Sequence, residues 1–261
     1  MSKLTEKQKI DIENIIKEAL DIAEKFWNES GRKLEKEIAL SANAMDGINE
    51  SIYSEESVAS QIPDHGFVSS IKSENDEFLA IVADMRNSTQ HAKTQIGDIN
   101  PLKRIFLETS ALLPAIEKII NIKGGSVTEY LGDGVLGFFK FSNENIYSSY
   151  NAAKIIINEV RVILNEILHT RYNLPIDGIN IGVGLAKSQV IIYAAGIERK
   201  YPKAFGACVY DATKLSSGTN IIGVSNELKA LWPKSPGGIL RFEQHDFRNI
   251  KGYKINPKNT K

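Results

Sequence analysis

Phe78-Leu-Ala-Ile-Val-Ala-Asp84-Met-Arg-Asn-Ser-Thr89 and Gly124-Gly-Ser-Val-Thr-Glu-Tyr-Leu-Gly-Asp133-Gly134 share one shape: each carries an apolar run into a turn of small residues and leaves an aspartate there. Both runs read as half-buried strands that end at their Asp. Either aspartate alone is ordinary, because Asp favours turns and Gly-Asp-Gly is a common hairpin connection. The pair is more informative. Two carboxylates at one sheet edge are oxygen ligands for a divalent ion, beside which a polyphosphate fits. That arrangement points to chemistry on a nucleoside triphosphate.

Outward from these runs the pattern reads β-α-β-β-α-β. The strand at 78–84 is followed by Asn100-Pro101, an N-cap and a proline at the first helical position, which open a helix to about 121. Strands at 126–131 and 135–141 form a hairpin across Gly132-Asp133-Gly134. A helix at 147–169 carries the apolar stripe Tyr150, Ala153, Ile157, Val160, Leu164 and Ile167, and further strands follow at 178–185 and 190–194. This order predicts an α+β fold, a ferredoxin-like split βαβ core with a helix-covered antiparallel sheet. In that topology the first strand lies beside the hairpin, so Asp84 and Asp133 converge.

The N-terminal part has another character. Ile12, Ile15, Ile16, Ala19, Ala23, Phe26 and Trp27 recur at helical intervals over 4–27, and a weaker helical pattern over 34–48 runs through Leu34, Ile38, Ala42, Met45 and Ile48. The polar, Ser-rich stretch 51–75, with Pro63 and Gly66, reads as a linker. The expected division is therefore a helical extension with linker at 1–75 and a main domain at 76–261, with the helices packed on their own domain or on a dimer partner.

Composition narrows the classes. The 261 residues are 42% hydrophobic and 25% charged, enough for one well-filled core and an appendage. Lys+Arg and Asp+Glu both number 32, so no bulk positive field draws the chain to nucleic acid or an anionic membrane, and phosphate recognition must be local. Cys208 is the one cysteine, and His65, His91, His169 and His245 lack the close spacing of zinc ligands. The charged start has no apolar signal core, and no apolar run approaches the ~18 residues of a membrane span, so the expectation is a cytoplasmic protein without membrane insertion.

Five ordered segments resemble class III nucleotidyl cyclases. Asp84-Met-Arg-Asn-Ser-Thr89 is similar to their Asp-Ile-x-Gly-Phe-Thr stretch, and the hairpin around Asp133 to their Gly-Gly-x-Val-x-Lys-x-x-Gly-Asp-Gly. Ile181-Gly-Val-Gly184 resembles their Ile-Gly-Ile-His strand, Tyr201-Pro-Lys-Ala-Phe-Gly206 the segment before their last core helix, and Ile250-Lys-Gly252 their terminal Leu-Lys-Gly. The resemblance implies that Asp84, Asp133 and the Met85 carbonyl hold two divalent cations, Mg²⁺ or Mn²⁺. It further implies that the amides of Arg86, Asn87, Ser88 and Thr89 bind β- and γ-phosphates and that Lys251 is a phosphate ligand. It implies a head-to-tail homodimer, with metal carboxylates from one subunit and base and transition-state contacts from the other.

The departures from the family pattern concern the base. Glu129 stands at the position of the adenine-reading Lys, as it does in guanylyl cyclases, and Lys203 at that of its Asp or Thr partner. Tyr210 and Lys214 stand where the family has the Asn and Arg that steady the transferring phosphate. An acceptor and a donor suit uracil, and the Tyr210 ring narrows the site toward a one-ring base. The chain most resembles bacterial pyrimidine cyclases of Pycsar anti-phage systems. That likeness implies cyclic UMP made from UTP, with CTP left open, acting on a separate effector. The other readings are an adenylate or guanylate cyclase and a catalytically inactive nucleotide-binding or dimerisation module. A diguanylate cyclase is discounted, since its hairpin would carry Gly-Gly-Asp-Glu-Phe.

Overall fold

The structure, a computed structural model, describes residues 3–31, 57–197, 199–234 and 238–257. Its centre is the strand β3 (Glu74–Met85), flanked by β5 (Gly134–Lys140) on one side and β6 (Ile181–Ala195) on the other, both antiparallel to it. Adding β4 (Ser126–Tyr130), β8 (Ile222–Val224), β9 (Leu240–Phe247) and β10 (Ile250–Pro257), the sheet runs β4-β5-β3-β6-β8-β10-β9. A further strand, β7 (Tyr201–Phe205), pairs with the second half of β6. The first four strands in that order, with the helices between them, are the expected split βαβ core.

Alternation along β3 assigns its faces. Leu79, Ile81, Ala83 and Met85 pack beneath α3 (Pro101–Ile122) and the helical run formed by α4 (Asn143–Ile155) and α5 (Arg161–Tyr172). Phe78, Ala80 and Val82 face the opposite way, against Cys208, Ala212 and Leu215 of α6 (Ala207–Leu215). Asp84 shares the parity of this second set, so its carboxylate emerges on the α6 side. Helix α3 starts as its sequence dictates: Asn100 Oδ1 accepts from Lys103 N at 2.8 Å, and Pro101 opens the first turn.

Helix α1 (Glu6–Phe26) begins at a capping box between Thr5 and Gln8 and buries Ile12, Ile16, Leu20 and Ala23 in the same core as α3. It thus packs on its own chain, clasped by Arg171, which pairs with Asp21 and with Glu24 at 2.6 Å. The helical pattern at 34–48 lies outside the described residues.

Three element readings change. The stretch 51–75 is not all linker: it carries the hairpin β1 (Ser57–Ile62) and β2 (His65–Ser69), whose Ile62 and Val68 pack on the Phe78–Phe138 cluster. Its Pro63 and the left-handed Asp64 (φ 66°) mark the tight turn between them. The strands at 178–185 and 190–194 are one strand, because polar Lys187, Ser188 and Gln189 pair with Leu79, Phe78 and Glu77 of β3, and Lys187 Nζ reaches Glu77 Oε1 at 2.6 Å. The long helix extends past both expected ends and is interrupted by a π-turn at Ile156–Val160 between α4 and α5. Among the described residues, no helix is long and apolar enough to cross a membrane.

Candidate active site

Strand β3 and the β4–β5 turn deliver the two aspartates to one place. Asp84 pairs across the ladder with Gly134 and Gly182, and Met85 N donates to Asp133 O at 3.2 Å. Gly132, at φ 80°, turns the hairpin tip, and Leu131 N closes it on Gly134 O at 2.8 Å. A cleft of about 720 Å³ opens above them, lined by Asp84, Asp133 and the segment from Met85 to Gln90. Thr213, Ser216 and Arg248 line it as well.

The turn after β3 is built to lie close to these carboxylates. Arg86 N donates to Asn180 O at 2.8 Å, and Asn87 takes the left-handed conformation at φ 63° before the four-residue helix α2 (Ser88–His91). The resembled motif has Gly at the position of Asn87. A positive φ accounts for both residues, since Asn is among the few others that adopt it readily.

Burial pushes the Asp84 carboxyl up to about 6, the Asp133 charge pushes the same way, and the Arg86 and Arg248 cations oppose them. Arg86 Nη1 sits 2.5 Å from Asp84 Oδ2. Two carboxylates and a main-chain carbonyl form a hard, all-oxygen donor set. Among the described residues no cluster of three or more His, Cys, Asp or Glu side chains forms a metal cage. Two carboxylates fit Mg²⁺ or Mn²⁺ used with a phosphate substrate, which habitually take one or two carboxylates and complete their shell with water and phosphate oxygens.

The remaining sequence-selected residues lie elsewhere on the chain. Glu129, beside a bulge in β4, and Lys203 of β7 meet each other at 2.6 Å. Lys214 stacks over the Tyr210 ring at 5.3 Å on α6, where Tyr210 is 56% exposed. Lys251 lines a separate polar cavity of about 460 Å³ with Asn226, Gln244, His245, Asp246 and Gly252. None of these five lines the Asp84 cleft. The cation there besides Arg86 and Lys93 is Arg248, which sequence reading missed. Its signal was the Arg248-Asn249 pair between two alternating runs, with Asn249 at φ 66° forming the tip between β9 and β10. An apolar groove of about 590 Å³ between α1 and α3, lined by Ile15, Ile22, Phe26 and Phe106, has no comparable polar chemistry.

No family model matches the chain, and no curated protein matches it in sequence. Solved structures match it in fold. The adenylyl cyclase CyaB from P. aeruginosa superposes with a TM-score of 0.58 at 14% identity, covering 72% of this chain and 98% of that one. The guanylate cyclase domain of RhGC from Catenaria anguillulae, in complex with GTP, gives 0.51 at 18% identity over 72% and 100% of the two chains. The non-canonical dimeric guanylyl cyclase domain of the RhoGC fusion protein from the aquatic fungus Blastocladiella emersonii gives 0.51 at 17% over 72% and 99%. The chain has the α+β fold of these adenylyl and guanylyl cyclase domains.

Proposed function

We propose that this protein is a class III nucleotidyl cyclase that converts a nucleoside triphosphate to its 3′,5′-cyclic monophosphate and pyrophosphate. The observation that carries the reading is the convergence of Asp84 and Asp133 in a cleft walled by a small-residue turn, on a fold shared with cyclase domains. Asp84, Asp133 and the Met85 carbonyl hold two divalent cations, Mg²⁺ or Mn²⁺. Bound there, such ions would supply Lewis-acid activation of a ribose 3′-hydroxyl and neutralisation of triphosphate charge. The amides of Asn87, Ser88 and Thr89 bind β- and γ-phosphates, the Arg86 amide being taken by Asn180 O, and Arg248 adds a cation to the cleft lining.

The residues outside this cleft act on the neighbouring subunit's substrate. Glu129, Lys203, Tyr210, Lys214 and Lys251 lie away from the Asp84 cleft of their own chain, which supports a homodimer with shared sites. Glu129 and Lys203, held together by their ion pair, offer an acceptor beside a donor, the complement of a uracil edge. On this reading the substrate is UTP, with CTP as the nearest alternative, and the cyclic product signals to a separate effector in anti-phage defence within the cytoplasm. Glu129 also favours a second reading, a guanylate cyclase, because a carboxylate accepts from the N–H groups of guanine.

Incubation with ATP, GTP, CTP or UTP and Mn²⁺, with products identified by mass, tests both. The expected result is a cyclic pyrimidine nucleotide from wild type and at least about 100-fold less from Asp84→Ala. Cyclic GMP as the main product would establish the second reading, and no cyclic product from either protein would leave a nucleotide-binding or dimerisation module.

A further inference from the structure

His91, Arg104 and Glu108 form a buried charged cluster that the proposed chemistry does not use. They are 8%, 4% and 1% exposed. Glu108 Oε2 lies 2.7 Å from His91 Nδ1, Arg104 Nε donates to Glu108 Oε1 at 2.9 Å, and Arg104 Nη2 lies 2.9 Å from His91 Nδ1. The cluster joins two elements: His91 ends α2, while Arg104 and Glu108 stand one turn apart in the first half of α3.

Its location bears on the cleft. Helix α2 is the continuation of the wall at 85–90, and it is only four residues long, too short to hold its own orientation. Backbone hydrogen bonds tie it at one end, through Arg86 N to Asn180 O. At the other end Nδ1 of its last side chain donates to Glu108 or accepts from Arg104, according to its protonation, and both groups stand on a 22-residue helix that packs on the sheet core. Such a buried cluster adds little net stability relative to apolar residues of the same volume, because the desolvation of its charges offsets their attraction. Fixed geometry is a better-attested use of such a group than stability, since each partner is held by directional bonds.

We propose that His91, Arg104 and Glu108 are positioning residues that set the distance between the wall at 86–90 and the two aspartates, and so the fit of a triphosphate in the cleft. This inference rests on the cyclase reading for its substrate, but its test uses inorganic tripolyphosphate, which has neither base nor ribose. Tripolyphosphate affinity is measured by calorimetry with Mg²⁺, beside turnover of the preferred nucleotide and thermal melting, for four proteins. They are wild type, the apolar triple variant H91L/R104M/E108L, H91L and H91N.

Wild type binds tripolyphosphate. The triple variant melts within a few degrees of wild type, yet its affinity falls by about tenfold or more and KM rises by the same factor, while kcat changes by less than about threefold. H91L also loses affinity, and H91N, whose amide nitrogen stands near the place of Nδ1, restores it to within about threefold. A triple variant that binds and turns over as wild type does overturns the proposal, as does a wild type that fails to bind tripolyphosphate. If the triple variant does not fold, Glu108→Gln replaces it, with a KM rise supporting the proposal and an unchanged KM overturning it. Wild type that binds tripolyphosphate but cyclises no nucleotide sinks the cyclase reading and leaves this one to the binding arm alone.

Discussion

At Asp84, burial and the charge of Asp133 act against the ionised form, and together they bring its carboxyl from 3.8 to about 6. Because the folded value exceeds the ordinary one, folding takes up a proton. The stability this adds is fully present below pH 3.8 and is lost as pH rises through about 6. Cation binding runs the other way, since it needs the carboxylate. The expected result in a calorimetric titration is that apparent Mn²⁺ affinity rises about tenfold per pH unit up to about 6 and then levels, with Asp84→Asn abolishing the rise. An affinity that is flat from about pH 5 to 7 would contradict this account of the site. The two aspartates were legible in the sequence because an apolar run leads into the Asp84 turn and Gly132 and Gly134 frame Asp133. Arg248 was not, because only the return of β10 beside β8 carries the β9–β10 tip over β3's end.

At the scale of elements, glycines set how closely the strands and helices around the cleft approach. A Cβ on Gly134 would stand 2.8 Å from Ala83 O and 3.0 Å from Asp84 Oδ1. Gly134→Ala is therefore expected to lower turnover more than stability, by pushing the hairpin from Asp84, and parallel kinetics and urea unfolding check it. At Gly184 a Cβ would meet Ala212 O at 1.9 Å, so Gly184→Ala must push α6 off β6. A loss of about 2–3 kcal/mol in urea unfolding is expected, and a change within error would show that α6 yields freely. The β-α-β-β-α-β order of the core was readable because strand and helix periods alternate cleanly after residue 77. The hairpin β1–β2 was not, since its strands bury one face only and read as polar, as in the exposed Ser57, Ala59 and Gln61. Lys187 and Gln189 hid the continuity of β6 in the same way, their polarity being answered by neighbours across the ladder rather than along the chain.

Over the whole molecule, the residues picked out from the sequence fall into two sets. One set, with Asp84 and Asp133, lines the cleft; the other, with Glu129, Lys203, Tyr210, Lys214 and Lys251, does not. On the proposed reading a single chain holds two halves of a site, and a head-to-tail pair of chains would bring unlike halves together. Coexpression of an Asp84→Ala chain with a Tyr210→Ala/Lys214→Ala chain tests this claim. Each variant alone is expected to be inactive. Half of randomly assorted dimers are mixed, and one of the two sites in each mixed dimer is intact, so the mixture recovers about a quarter of wild-type cyclising activity. A mixture no more active than its parts, from dimers shown to have assorted, would contradict the shared site.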